Sequence, residues 1–504
     1  MNLRKYKILI TGQPCYLTRR GCFFLFIMFA GILLCGCKVG PDFKSPQANA
    51  NVPQSWTSTT NAVTTNVLIS VSNAVSLTRW WTNFNDPILV SLVESAIKEN
   101  LDVKIAVTRI RQARASLGIT RSRLFPSISS SASYNRYYQN RPSRDPDSLM
   151  AGVDALWELD FFGGNRRSVE AAMANIAGSV EYYRDVVVTL TGEVAMNYIR
   201  LRMLQKQLDI AKANLKDQLE TASIARKRFA AQFVSKLDVA NAEAQASTTE
   251  SQISILESQK IQIIHNISIL LGKTPSELLD QLNTPAPIPA PPSNVGISIP
   301  SELLRRRPDI RYAEAQLHSA TAKIGVAVAD LFPKFNITGG FTFQENSVSD
   351  FFSNPVRTGS VGPGISWDIF SGGAIKSNIK LQEALRDEAF ISYQKTVLNA
   401  LGEVENAIIA LTKEQEHFIS LQNAVDSNRQ AVEIAVKLYT EGQTDFLNVI
   451  SAQNSLLSSE DALAQSRSDI STYLVALYKA MGGDWNFDAP LDDVQSKSKN
   501  ENKK

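Results

Sequence analysis

The sequence predicts a mainly α-helical chain that also carries a transmembrane β-barrel part, with two structural repeats per chain. Three observations predict it. Two long tracts, Gly164 to Leu271 and Gly372 to Met481, contain no proline, the residue that breaks helix interiors. Ahead of each tract lie two segments of about ten residues that alternate apolar and polar side chains, the mark of half-buried strands. The same pieces also occur twice. "ASLGITRSRLFP" ends at Pro126 and "AKIGVAVADLFP" at Pro333, 207 positions later. "WELDFFGG" (Trp157 to Gly164) matches "WDIFSGG" (Trp367 to Gly373), and "RFAAQFVSKLDV" aligns with "LYTEGQTDFLNV". A repeat this long is a duplicated half, not a solenoid unit.

Residues 1–36 read as a lipoprotein signal peptide. Arg4, Lys5, Lys7, Arg19 and Arg20 precede the run "GCFFLFIMFAGILLCGC", which is apolar, short for a spanning helix and rich in small residues at its end. "LCGC" resembles a lipobox, which makes Cys37 the lipidated first residue of the mature chain. The other cysteines, Cys15, Cys22 and Cys35, lie upstream, so the mature chain has no second thiol for a disulfide. Without the signal the formal charge of +3 becomes 52 − 5 = 47 basic against 49 acidic residues, a balance that gives no support for nucleic-acid binding. No later run is long and apolar enough to cross a membrane as a helix, so any crossing must be made by strands.

Residues 37–84 form a lipidated, extended N-terminal segment, and 85–283 the first repeat. Its strands are expected at about 127–139 and 149–160, its long helices over 164–271. A proline-rich linker covers 284–300. The second repeat, 301–485, has strands at about 334–345 and 358–370 and helices over 373–481. A disordered tail, 486–504, closes the chain. In the first tract Val169, Val180, Leu190, Val194, Tyr198, Leu201 and Leu204 belong to a stripe stepping by threes and fours, a coiled-coil-like seam. Breaks near 232–235 and 442–444 make each tract a hairpin whose first arm would reach ~100 Å.

In "KFNITGGFTF" the odd positions Phe335, Ile337, Phe341 and Phe343 share one face, and Asn336, Thr338 and Thr342 the other. Trp157 and Trp367 fall on the apolar faces of the second and fourth strands. Ten residues is the length that crosses a bilayer at a steep tilt, and apolar-out, polar-in alternation suits a membrane barrel. Four strands cannot close one, so strands must be pooled between copies.

"CKVGPDFKSP" (Cys37 to Pro46), "WWTNFNDPIL" (Trp80 to Leu89) and "IPSELLRRRPDIRYAEAQLHSATAKIGVAVADLFP" (Ile299 to Pro333) resemble the TolC-like outer-membrane efflux factors, most closely their NodT-type lipoprotein branch. The resemblance implies a homotrimer with one twelve-stranded β-barrel above an α-helical periplasmic tunnel. It implies a passive exit duct that carries drugs or other small molecules, with a periplasmic adaptor protein and an inner-membrane efflux pump as partners. Lys38 after the cysteine implies sorting to the outer membrane, where outer-membrane lipid surrounds the strands. The periplasmic tips and adaptor contacts carry over to Gln232, Phe233, Val234 and Ser235, and to Gly442, Gln443, Thr444 and Asp445. Gln232 stands where the family usually has glycine. The tunnel constriction carries over to Leu447, with Asn448 and Ser451 where relatives place aspartate. Asp238 is the first-half counterpart of Asn448.

No enzyme is expected. His265, His318 and His417 are far apart on helical patterns, and no metal or cofactor spacing occurs. A lipid-anchored periplasmic coiled-coil scaffold or pump adaptor without a pore is the alternative. Only the conduit needs two lipid-facing strand pairs per chain.

Overall fold

The computed structural model describes residues 38–46, 53, 55–57, 68–71, 77–136, 138 and 147–484. The signal peptide, Cys37 and the tail expected over 486–504 lie outside the described residues. After strand β1 (Leu68–Val71) and a 3-10 turn (Trp80–Phe84) come helices α1 (Pro87–Glu99) and α2 (Leu101–Ser122). Strands β2 (Ser127–Arg136) and β3 (Asp147–Leu159) lead into the first long hairpin, α3 (Gly164–Ala230) and α4 (Lys236–Leu270). A short α5 (Leu279–Leu282), strand β4 (Asn294–Ile297) and α6 (Pro300–Arg306) connect to the second half. That half runs α7 (Pro308–Ala329), β5 (Lys334–Glu345), α8 (Val348–Ser353), β6 (Val356–Ser366), α9 (Ala374–Glu441) and α10 (Phe446–Ala480). Among the described residues no helix is long and apolar enough to cross a membrane.

The chain divides into two compact units, described separately. The first holds the described parts of 1–43, 116–173 and 319–386 and contains a four-stranded antiparallel sheet in the order β2-β3-β5-β6. Its register pairs Trp157 with Ile337, Val153 with Phe341 and Ala151 with Phe343, and Ile337 in turn with Pro363. Directly opposed residues share a face, so the apolar faces of all four strands merge into one. The opposite face joins Asp154 to Gly340, Glu158 to Asn336, and Thr342 to Gly152 and Thr358. Leu156, Met150 and Val356 are the apolar residues set on this polar side.

The two repeats meet in this sheet with the same corner. The Trp157 indole donates to the Leu124 carbonyl at 3.0 Å, and the Trp367 indole donates to that of Leu331 at 3.1 Å. Each leucine opens a Leu-Phe-Pro turn, so each tryptophan ties the end of a strand pair to the turn that began it. The strand expected over 358–370 ends at Ser366 instead. Trp367 therefore lies one residue past β6, where its indole is committed to the turn and the Ile369 amide folds back to the Trp367 carbonyl at 3.0 Å.

The second unit holds the remaining segments, with a core running along the long helices. Val180, Leu190, Val194, Tyr198, Leu201 and Leu204 of the seam are buried, as are Val404, Ile408 and Leu411 of α9. The stretch around Trp80, expected to be extended, is part of this core. Trp56, Trp80, Trp81 and Phe84 are all buried, and Trp80 stacks on Tyr478 at 5.2 Å. Asp86 caps α1 by accepting the Ile88 and Leu89 amides, and its other oxygen accepts the Tyr198 hydroxyl at 2.8 Å. The linker expected over 284–300 contains β4, which pairs in parallel with β1.

Both repeats close their hairpins onto the helix that precedes their strands. Asn100, the residue before α2, donates to the Leu270 carbonyl at 2.8 Å while its side-chain oxygen accepts the Asp102 and Val103 amides. Arg307, the residue before α7, donates to the Ala480 carbonyl at 3.0 Å, to Glu403 at 2.7 Å and to both oxygens of Asp309. Burial opposes the charge of Arg307, but Asp309 and Glu403 outweigh it and raise its pKa.

Candidate functional site

The hairpin turns have one backbone geometry. At the end of α3 the Gln232 amide donates to the Phe229 carbonyl at 2.9 Å and the Phe233 amide to that of Arg228 at 2.9 Å. At the end of α9 the Gly442 amide donates to Tyr439 at 3.0 Å and the Gln443 amide to Leu438 at 2.8 Å. Both are Schellman caps, which need a left-handed residue just past the helix. Gly442 supplies it at φ 80, and Gln232 supplies it at φ 63 without being glycine. The expected departure at Gln232 thus changes the residue and leaves the turn intact, at a cost of about 1–2 kcal/mol of backbone strain.

Beyond each cap the chain re-enters a helix. Ser235 and Asp445 are the N-cap residues of α4 and α10, both extended, and neither side chain makes a capping hydrogen bond. Thr444 instead accepts the Asn448 side-chain amide at 2.7 Å. Phe233, on the first turn, is 76% exposed. Val234 packs on a small core made of Ala222, Ala225, Ala242, Tyr439, Phe446 and Val449. The first hairpin gives this core alanines, the second aromatic and branched residues. Arg228 bridges them: its guanidinium donates to the carbonyls of Tyr439 and, at 3.0 Å, Thr440, and lies 4.9 Å from the Tyr439 ring centre. It neutralises the carbonyl end of α9.

On α10, Leu447, Asn448 and Ser451 share the exposed side, while Phe446, Val449 and Gln453 are buried. Leu447 is 70% exposed. Its first-repeat counterpart, Leu237, is 66% exposed on α4 and was not among the expected constriction residues. The aligned "SKLDV" and "DFLNV" segments already place the two leucines together. Asp238, half-buried on α4, lies close enough to Tyr439 for its charge to add to burial in raising that phenol's pKa.

In the sheet, Phe341 is 47% exposed and Trp157 38%, on the apolar face they share with Phe335, Ile337 and Phe343. Among the described residues no group of His, Cys, Asp and Glu is arranged to hold a metal ion.

The family model described as "Outer membrane efflux protein" matches residues 92–273 and 299–483. These spans lie close to the two repeats expected over 85–283 and 301–485. Nodulation protein T of Rhizobium leguminosarum bv. trifolii is 29% identical over 91% of this chain and 97% of its own length. The pyoverdine export outer membrane protein OpmQ of Pseudomonas aeruginosa is 30% identical over 83% of this chain and 90% of its own. Among solved structures, the outer-membrane channel OprN superposes with a TM-score of 0.80 at 35% identity, covering 89% of this chain and all of that one. The Campylobacter jejuni CmeC outer membrane channel, 24% identical, shares the fold with a TM-score of 0.79 over 93% of this chain and 98% of its own. Long helical hairpins joined to a strand part by two tandem repeats are thus the architecture of such channels, and the chain belongs to the outer membrane efflux protein family.

Proposed function

We propose that this outer-membrane efflux channel works as the passive exit duct of a tripartite assembly, as a homotrimer whose copies each give four strands to one barrel. The observation that carries the proposal is the sheet of the first unit. Its apolar faces align across both repeats, and its outer strands, β2 and β6, each pair on one side only. Open edges are not tolerated in lipid, so other copies must supply the missing partners. Exposed apolar residues along α9, including Leu381, Ile391 and Leu398, support further burial between copies. Cys37 carries the lipid anchor, and the strands face outer-membrane lipid through Phe335, Ile337, Phe341, Phe343 and Trp157, with Trp367 at the strand end.

The tips 232–235 and 442–445 meet the periplasmic adaptor protein, which links the duct to an inner-membrane efflux pump. Leu447, joined by Leu237, narrows the tunnel by apolar packing, with Asn448 and Ser451 leaving the ring uncharged and Asp238 and Asp445 the carboxylates beside these leucines in sequence. The chain performs no catalysis: energy comes from the pump. The domain division in this reading keeps 1–36 as signal, 284–300 as the connection between repeats and 486–504 as a tail.

Single cysteines placed from Phe335 to Phe343 and exposed to a water-soluble thiol reagent in intact outer membranes test the barrel. Labelling at Asn336, Thr338 and Thr342 with protection at Ile337, Phe341 and Phe343 is expected. Uniform labelling or uniform protection would remove the pore and leave a periplasmic scaffold.

A further inference from the structure

Close to the N-terminus, a short segment is bound more tightly than its exposure suggests. Arg167, on the first turn of α3, has a side chain only 2% exposed. Its guanidinium donates to the Val39 carbonyl at 3.0 Å, the Gly40 carbonyl at 3.2 Å, Asp42 at 2.7 Å and Glu170 at 2.9 Å. The Val39 amide donates to the Phe162 carbonyl at 3.1 Å, just past the end of β3. Lys38 pairs with Glu170 at 3.5 Å. Beneath the segment Gly40 crosses α7 at Gly325. A Cβ on Gly40, whose φ is +84, would stand 2.4 Å from the Gly325 Cα. A Cβ on Gly325 would stand 2.8–2.9 Å from the Arg167 side chain. Two absent side chains thus let the backbone reach a buried guanidinium, whose planar fork of donors suits several acceptors at once.

Nothing in the sheet or the hairpins needs this arrangement, because 38–43 adds no strand and no apolar core. What it fixes is position. Cys37 lies two residues before Val39 in the sequence, and the Val39 backbone is tied down beside β3. We propose that Arg167, Gly40 and Gly325 form an anchor clamp, which fixes the point where the acyl chains of Cys37 enter the membrane relative to the strands. The clamp rests on the lipid-anchor reading of Cys37. It sets lipid and strands to one depth, and Arg167 acts as a positioning residue through the backbone it grips.

The test uses the full-length chain in native outer membranes, followed by hydrogen exchange at the Val39 amide and by trypsin cleavage after Lys38. Arg167→Gln and Gly40→Ala are each expected to speed Val39 exchange by at least about tenfold and to open the Lys38 bond to trypsin. Gly40→Ala changes only the bound segment, so it reports on the clamp where Arg167→Gln disturbs α3. A Cys37→Ser chain exported behind an ordinary secretory signal is expected to keep the protection, since the protein supplies it. Wild-type exchange in both clamp variants would overturn the proposal, as would loss of protection in Cys37→Ser, which would make the lipid the holder. The mass of the N-terminal peptide reads the other premise. Acylated Cys37 supports the anchor's role. An unmodified cysteine beside an intact protection pattern overturns the lipid reading and the acyl role while leaving the grip itself measured.

Discussion

Asn100 and Arg307 stand at equivalent places in the two repeats. Each donates to the carbonyl that ends its own repeat's second long helix, Leu270 in one and Ala480 in the other. The glycines just past those carbonyls, Gly272 and Gly482, both have positive φ, and a Cβ on either would meet the backbone just before the opposing helix, Glu99 and Asn100 in one repeat and Arg306 and Arg307 in the other. The geometry is the same and the chemistry is not. Asn100 is an amide whose second role is to cap α2. Arg307 is a charged hub that also binds Asp309 and Glu403 and so draws α9 into the joint. The turns repeat the lesson, with Gln232 and Gly442 in the same left-handed conformation. Backbone placement is what the two halves share, and side-chain identity is free wherever another group can meet the same orphan carbonyl or bend.

Removing the two joint residues should break this symmetry unequally. Arg307→Ala leaves Asp309 and Glu403 without their cation near the half-buried Asp185, whose pKa is already raised by burial first and by Asp309 next. A loss of about 2–3 kcal/mol is expected, since Arg307 is buried but Asp309 and Glu403 keep contact with water. Asn100→Ala loses a cap and one bond to a carbonyl, about 1–2 kcal/mol. Denaturant midpoints of the purified channel in detergent, compared side by side, check the order. Equal losses would mean the charge network adds nothing to the shared geometry.

A smaller difference lies along α10. Asp461 occupies the place that Ser251 holds in α4, and burial, helped by the neighbouring Glu460 charge, lifts its pKa from 3.8 to about 6. The folded chain therefore holds a proton between those two values that the unfolded chain has released. The stability tied to that proton is present below about 4 and is lost as pH rises through about 6. Asp461→Ser should accordingly gain about 1 kcal/mol at pH 7–8, screened because the group is partly solvated, and gain nothing at pH 4. Melting curves at the two pH values read this directly, and a gain at pH 4 would point to packing instead of charge.

The smallest effect is at the first tip. Gln232→Gly relieves left-handed strain but frees the unfolded chain, and a net gain below about 1 kcal/mol is expected. Gly442→Gln should lose a similar amount, since its Cβ would lie 3.3 Å from the Arg228 guanidinium. Finding both changes neutral would show that the cap tolerates any residue in either half.

The repeated parts of the fold were the legible ones. Strict alternation in β5 and the proline-free tracts are local signals that survive without neighbours, and the hairpin breaks follow from aligning one half on the other. The sequence misled where structure depends on distant partners. Trp80 and Trp81 gave no period, because a 3-10 turn buries them against a helix almost four hundred residues away. The β1–β4 pair is too short to alternate. β6 stops early because Trp367 is bound to Leu331, a contact that only the Trp157–Leu124 pair of the first repeat could have suggested. Arg167 reads as one more polar residue on a helix, since Glu170 looks like an ordinary i,i+3 pair and the Val39 and Gly40 carbonyls and Asp42 lie more than a hundred residues away.

The Gly40–Gly325 crossing has a consequence at the level of codons. Every single-base missense change in a glycine codon installs a side chain, and here any side chain on Gly40 collides with backbone. Neither position has a mild neighbour one mutation away. A saturation library selected for channel activity should therefore be depleted at both codons across every amino acid, alanine included, while Pro41 between Gly40 and Asp42 accepts replacement.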